Sequence, residues 1–279
     1  LSSEKVRKGS LRNSAMAGIE PVKAVNKTMS LLEALAQEKE MGVIDLAGRA
    51  GMHKSTVYRF LSSLKELGYV RQNTANEKYS LTLKLFELGS CVLGRMELWE
   101  QAHPILEQLA EQTHETIHLA VLDDGSLVYL GKIESTQALR VSMSSRIGQS
   151  APTHCTGVGK LLLAYAPPEQ VERILKREGL RRFTEHTITD RSLLAKELDS
   201  IRQHGFAIDD EEHEVGVRCV AAPVRNNQGT TIAALSISMP SVRLPNSEIP
   251  RYREFVTKAA EEISRRIGAA PVEPVAAGG

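Results

Sequence analysis

The sequence predicts an α+β protein in two parts: a small domain of three helices and a hairpin, then a larger domain of strands and helices. Three observations carry this. Apolar residues recur at helical spacing three times between Val22 and Leu67, the period drops to two around Asn73-Thr74-Ala75-Asn76, and beyond residue 115 strand-like and helix-like segments alternate. The length of 279 residues suits two domains, and 42% apolar with 25% charged residues is the composition of an ordinary globular chain. Aromatics are only 4%, so the core must be mainly aliphatic.

Residues 1–21 are polar, hold Gly9 and Gly18, and lack a period, so they read as a flexible arm. From Val22 a stripe of Val25, Met29, Leu32 and Leu35/Ala36 predicts a first helix with that stripe as its buried face. Gly42 breaks the run. Ile44, Leu46, Ala47 and Ala50 make a short second helix closed by Gly51, and Lys54-Ser55-Thr56 opens a third through Val57, Phe60, Leu61, Leu64 and Leu67, ended by Gly68. Segments 69–72 and 78–81 then alternate around a polar turn, which predicts a β-hairpin. Three helices and a ribbon over 22–82 are the layout of a winged helix-turn-helix.

A linker helix is expected over 83–99, with Pro104 in the first turn of the next helix. In the remaining 100–268, strands are expected at 117–122, 126–133 and 139–143 as an antiparallel meander, and at 219–224 and 231–239 about the turn Asn226-Asn227-Gln228-Gly229. Helices are expected at 157–166, 169–177, 193–203 and 248–267, before a tail at 269–279 rich in Pro, Ala and Gly. This is a mainly antiparallel sheet with helices packed on it.

Charge separates the two parts. Residues 1–82 hold 13 Lys and Arg against 8 Asp and Glu, whereas the rest holds 22 against 26. A basic module on an acidic body suits nucleic-acid contact by the first part alone. The longest apolar runs, 161–166 and 220–224, fall far short of the ~20 residues that span a bilayer. No apolar stretch follows the basic residues near the N-terminus, so no secretory signal is visible, and Cys91, Cys155 and Cys219 form no C-x-x-C pair. The cytoplasm is the expected compartment, with no membrane partner.

Three patterns could carry chemistry. The third helix places Lys54, Ser55, Thr56, Tyr58 and Arg59 in its first two turns, the small polar and basic types that enter a major groove, while Val57, Phe60, Leu61 and Leu64 pack behind. Arg71 and Lys78 of the hairpin are placed to touch phosphates. The alternative is a helical module that binds protein, with Ser55 or Thr56 merely capping the helix. The second pattern, His114-Glu115-Thr116-Ile117-His118, is a literal H-E-x-x-H. A zinc hydrolase would need both histidines on one helical face, yet the β-branched, alternating run after Thr116 argues for a strand, where residues four apart lie ~13 Å from each other. The third is a scatter of polar residues in the second domain: Thr153, His154 and Cys155 before a helix starting at Gly157, then Asp209, Arg218, Cys219, Ser236 and Ser238. They read either as a pocket for a small anion at a helix start or as ordinary buried polar groups. A regulatory metal held by His154, Cys155, His213 or Cys219 is a further alternative.

Segments 50–61, 216–224 (GVRCVAAPV) and 233–238 (AALSIS) resemble the isocitrate lyase regulator (IclR) family of bacterial transcription factors, in the expected order over about residues 22–268. The resemblance implies a winged helix-turn-helix, a linker helix and a C-terminal GAF/profilin-like effector-binding domain. It also implies homodimers, often paired into tetramers, on palindromic double-stranded operator DNA, a small carboxylate effector, and neither an enzyme nor a cofactor. Carried over by residue, the effector pocket falls on Gly157, Val158, Asp209, Cys219, Ser236 and Ser238, with Met143 on its wall; for a carboxylate held there, Arg146 or Arg218 are candidate charge partners. The family often has alanine where Val158 stands. Residues 54–61 and 77–89 are similar to the family's regulators of 2-keto-3-deoxygluconate and pectin/uronate catabolism; an aromatic or other small organic acid is the alternative effector.

Overall fold

The computed structural model describes residues 22–93, 97–137 and 145–269, and the chain divides into two compact units, 1–91 and 92–279. The expected arm, nearly all of the expected tail, the expected strand at 139–143 and Met143 lie outside the described residues.

In the first unit, α1 (Lys23–Ala36), α2 (Val43–Ala50) and α3 (Lys54–Glu66) precede a hairpin of β1 (Val70–Gln72) and β2 (Tyr79–Leu81). Gly51 closes α2 at φ +62°, a left-handed position that glycine occupies without strain, and its N–H bonds back to the helix end. The core is Leu31, Leu35, Leu46, Val57, Leu61, Leu64, Val70 and Tyr79. Here the α1 expectation is corrected. Of the expected stripe, Leu35 is buried and Leu32 partly so, but Val25 and Met29 are exposed, and the buried face centres on Leu31 and Leu35, about a third of a turn away. Both rows are apolar, so spacing alone cannot choose; the choice is made by α2 and β2, against which α1 packs. Ile44 and Leu67 are likewise exposed. Met41 and Tyr79 exchange both backbone hydrogen bonds, 2.8 and 2.9 Å, which ties the hairpin to the segment before α2. Glu40 holds the hairpin turn through the side-chain amides of Asn73 and Asn76.

The segment expected as one linker helix over 83–99 contains α4 (Leu83–Leu93) and the start of α5 (Glu97–Thr113). Pro104 is therefore inside α5 rather than in a first turn, where it forgoes one intrahelical hydrogen bond. The second unit is built on one antiparallel sheet in the order β5-β4-β3-β8-β7-β6. Its strands are β3 (Thr116–Asp123), β4 (Ser126–Ile133), β5 (Ser150–Ala151), β6 (Ala207–Asp210), β7 (Val217–Arg225) and β8 (Thr231–Pro240). Period-two alternation divides it cleanly. Ile117, Leu119, Val220, Ala222, Val224, Ala233, Leu235 and Ile237 face α5 and α9 (Ile249–Arg266). Ala120, Ala221 and Ala234 face α6 (Gly157–Tyr165), which packs with α7 (Pro168–Glu178) and α8 (Arg191–His204). Small residues under α6 bring that helix close to the sheet. No helix among the described residues is long and apolar enough to cross a membrane.

Candidate DNA-reading helix and ligand cavity

The residues assigned to DNA lie on the outside of the first unit. Lys54, Ser55, Tyr58 and Arg59 are exposed and Thr56 is half-buried, while Val57, Leu61 and Leu64 anchor the opposite side of α3. The helix is entered from His53, which makes no side-chain cap, so neither Ser55 nor Thr56 serves as the cap of the alternative reading. The amides of Lys54 and Ser55 precede the first intrahelical bonds, which run from Thr56 and Val57 to the His53 carbonyl. Such an end attracts a phosphate. Arg71 and Lys78 are exposed on the hairpin, and the Arg71 guanidinium donates to Ser80 Oγ at 3.2 Å.

In the second unit, strand register gathers the other assigned residues. Ser238 stands across from Cys219, Cys219 from Asp209, and Ser236 from both Ala221 and His118, so all point to the α6 face. Together with Gly157 and Val158 they line one cavity of about 30 Å³, room for roughly two waters. Thr156 caps α6, its Oγ1 accepting from the Gly159 N–H and donating to the Pro152 carbonyl. The amides of Gly157 and Val158 therefore remain at the helix start beside the cavity. A Cβ on Gly159 would lie 2.4 Å from the Thr153 carbonyl, so this tight turn admits no side chain there.

Burial sets the protonation of the lining. Asp209 is 3% exposed, and burial pushes its carboxyl up to about 7, against the N–H of Glu212, which donates to Oδ1 at 2.9 Å. Burial, with nearby Lys132 adding to it, takes His118 down to about 3, so the imidazole is neutral. It bridges Ser145 Oγ at 2.8 Å and Ser238 Oγ at 3.3 Å. Burial raises the Tyr129 phenol and lifts the Cys219 thiol far above the usual range. A thiol so held keeps its proton and is a poor nucleophile.

Two expected charge partners are elsewhere. Arg218 alternates with Cys219 on β7 and turns to the other face, where it pairs with Asp210 at 2.7 Å and donates to Asn246 and the Leu244 carbonyl. Arg146 is exposed and does not line the cavity. The H-E-x-x-H residues do not form a metal site either. His114 takes a left-handed φ of +57° at the end of α5, Glu115 is bound by Arg243 through two bonds of 2.6 and 2.7 Å, and His118 is on β3. The helix that a zinc hydrolase requires stops one residue before the motif. His154 bonds the Arg181 carbonyl through Nε2, and among the described residues no three His, Cys, Asp or Glu side chains are arranged to hold a metal.

Sequence reasoning missed His118 as a lining residue, and with it Tyr129, Ser145, Thr156, His213, Glu214 and Val217. The signal for His118 was its strand alternation, read only as evidence against zinc.

An exposed recognition helix in one unit and a polar cavity in the other define a DNA-binding transcription regulator with an effector-binding domain. The family model described as the IclR helix-turn-helix domain matches residues 24–74, and that of the bacterial transcriptional regulator IclR C-terminal domain matches residues 90–265. The chain belongs to the IclR family. It is 44% identical to the HTH-type transcriptional regulator KdgR of Escherichia coli, over 88% of this chain and 93% of that protein. It is 45% identical to KdgR of Dickeya chrysanthemi, over 88% of this chain and 80% of that one. Among solved structures, Thermotoga maritima IclR superposes with a TM-score of 0.73 at 33% identity, covering 88% of this chain and 98% of the other. An IclR homologue from Microbacterium hydrocarbonoxydans, solved with 4-hydroxybenzoate, gives 0.76 at 26% identity, covering 88% and 99%. These relatives are regulators rather than enzymes, which removes the hydrolase alternative.

Proposed function

We propose that the chain binds a palindromic operator as a homodimer or a pair of dimers, and that a small carboxylate, 2-keto-3-deoxygluconate, controls it from the cavity under α6. One observation carries the assignment of the site: six residues scattered from 157 to 238 line a single cavity with two helix-start amides and two serine hydroxyls. Those donors match a carboxylate oxygen by oxygen. Similarity to the KdgR proteins favours a sugar acid. Lys54, Ser55, Thr56, Tyr58, Arg59, Arg71 and Lys78 form the DNA contacts.

Val25 and Met29 on α1 and Leu83 and Phe86 on α4 are exposed apolar side chains, and a second copy supplies the cover they lack. Because the cavity has room for only about two waters, a sugar acid enters it as the walls part. That movement gives the ligand different affinities for the DNA-competent and DNA-incompetent arrangements, which is what control requires.

The test is fluorescence anisotropy of a labelled duplex carrying the operator, with 2-keto-3-deoxygluconate or 4-hydroxybenzoate added. A shift of at least tenfold in DNA affinity by the sugar acid is expected. A shift by the aromatic acid alone would assign the other effector class, and no shift by either would refute the carboxylate reading.

A further inference from the structure

The charges around the cavity pose a problem for an anion. Among the described residues that line it, none is lysine or arginine, whereas Asp209 and Glu214 are both present. A carboxylate held in this cavity by the Gly157 and Val158 amides shares its lining with the carboxyl of Asp209. Two carboxylates in contact cannot both keep their charge in a buried site. Resting on the carboxylate reading above, we propose that the ligand enters together with one proton, which Asp209 holds, so that its carboxyl donates a hydrogen bond to the ligand's carboxylate.

The surroundings favour Asp209 over its neighbours as the proton's seat. From the loop after β6, the Glu212 N–H occupies Oδ1, and from β7 the Cys219 thiol is 3.9 Å from Oδ2. The thiol donates to Oδ2 over a long sulfur distance and is the weaker of the two donors, so Oδ2 is the oxygen at which a proton shared with a ligand displaces less. From α6, the Lys160 ammonium acts on Asp209, but it is engaged by Glu212 and by Glu197 of α8, so it already serves two carboxylates. His213 and Glu214 face each other at 4.0 Å, and burial lowers the histidine. From β3 and β4, His118 is neutral with both ring nitrogens within reach of serine hydroxyls, Tyr129 keeps its proton, and Lys132 is tied to the Ser145 carbonyl and Glu134. Cys155 also keeps its proton, raised chiefly by burial.

With the carboxyl of the free protein already near 7, the sign is definite. The ligand binds the protonated form, so affinity is full below neutrality and falls as pH rises through that value. Between pH 6 and pH 8.5 the protonated fraction falls about thirtyfold, and the apparent affinity falls with it. The ligand's own carboxyl remains ionised throughout.

The experiment is isothermal titration calorimetry of the full chain with 2-keto-3-deoxygluconate at pH 6, 7, 8 and 8.5, each in phosphate and in Tris. The expected result is a weakening of about thirtyfold across the range, and at pH 8 a binding heat that differs between buffers by the ionisation heat of nearly one proton. Asp209→Asn keeps a donor without a titrating group, so it should bind with the same affinity at every pH and the same heat in both buffers. Wild-type binding independent of pH and buffer overturns the proposal while leaving the ligand assignment intact. Proton uptake that persists in Asp209→Asn overturns the choice of Asp209. Absence of binding at every pH overturns the carboxylate reading and this inference with it. The wild-type buffer comparison stands alone if the variant fails to fold.

Discussion

Replacing Lys160 by methionine tests what anchors α6 above the cavity. Lys160 is 1% exposed on α6, with Glu212 on the loop after β6 and Glu197 on α8 bound to its ammonium. Burial alone would lower that ammonium's pKa, but Glu212 and Glu197 outweigh it and hold the group above the lysine range. Methionine keeps the chain volume and removes the charge, leaving Glu212, 4% exposed, without its cation. Breaking a buried pair in this way costs about 3–5 kcal/mol, and because Glu197 is half-buried and can rehydrate, the low end applies, about 3 kcal/mol. For a domain of this size that is a fall of roughly 6–12 °C in Tm.

The pH dependence follows from Glu212, whose carboxyl is raised, first by burial, with Lys160 opposing. A carboxyl raised on folding detracts from stability as pH rises through the unfolded value. Removing Lys160 raises it further, so the deficit is largest at pH 8 and shrinks towards pH 5, where the carboxyl takes a proton. Differential scanning calorimetry of wild type, Lys160→Met and Lys160→Met with Glu212→Gln reads this directly, and the double variant should recover much of the loss. A deficit below about 1 kcal/mol, small beside the loss expected for a buried pair, or one equal at both pH values, would refute the claim that a charged triad holds α6.

Arg59→Ala should weaken operator binding by roughly fivefold to 150-fold, from the loss of a contact worth about 1–3 kcal/mol, and leave calorimetric binding of the ligand unchanged; wild-type anisotropy would remove α3 as the reading helix. Gly159→Ala forces a Cβ to 2.4 Å from the Thr153 carbonyl and 2.5 Å from the capping Thr156 Oγ1. It should cost about 1–3 kcal/mol in thermal unfolding and weaken ligand binding by displacing the α6 amides. Glu115→Gln removes a buried carboxylate held by Arg243 through two bonds, and urea unfolding should show a loss of about 1–3 kcal/mol.

The legible parts of this molecule are those where one element's own spacing decides. The third helix could be read residue by residue, because Val57, Leu61 and Leu64 leave only one side for Lys54, Ser55, Tyr58 and Arg59. The strands expected at 219–224 and 231–239, observed as Val217–Arg225 and Thr231–Pro240, were legible from the turn between them, which ends in Gly229 at φ +75°. On α1 the sequence read Leu35 as buried but placed Val25 and Met29 beside it, and only the packing of α2 and β2 selected Leu31 in their stead. The four-residue β6, Ala207–Asp210, carries no readable period and is a strand because β7 pairs with it. In the cavity, Gly157, Val158, Asp209, Cys219, Ser236 and Ser238 were reached through resemblance to a family. His118 was not, since its place beside Ser236 depends on a pairing between residues far apart in the chain.

What the sequence determined by itself is local: helix faces, turns, the basic character of the first 82 residues, and a chain order that matches one family of regulators. Those follow from periods of 3.6 and 2 and from the backbone preferences of glycine and proline. Tertiary structure decided everything that depends on a neighbour. It set His118 beside Ser236 in the cavity, chose Leu31 over Val25 and Met29 for the buried face of α1, and raised the Asp209 carboxyl by burying it. The reason is that register and burial are set by distant strands and helices, and protonation follows from burial, so none of them is a property of any short segment.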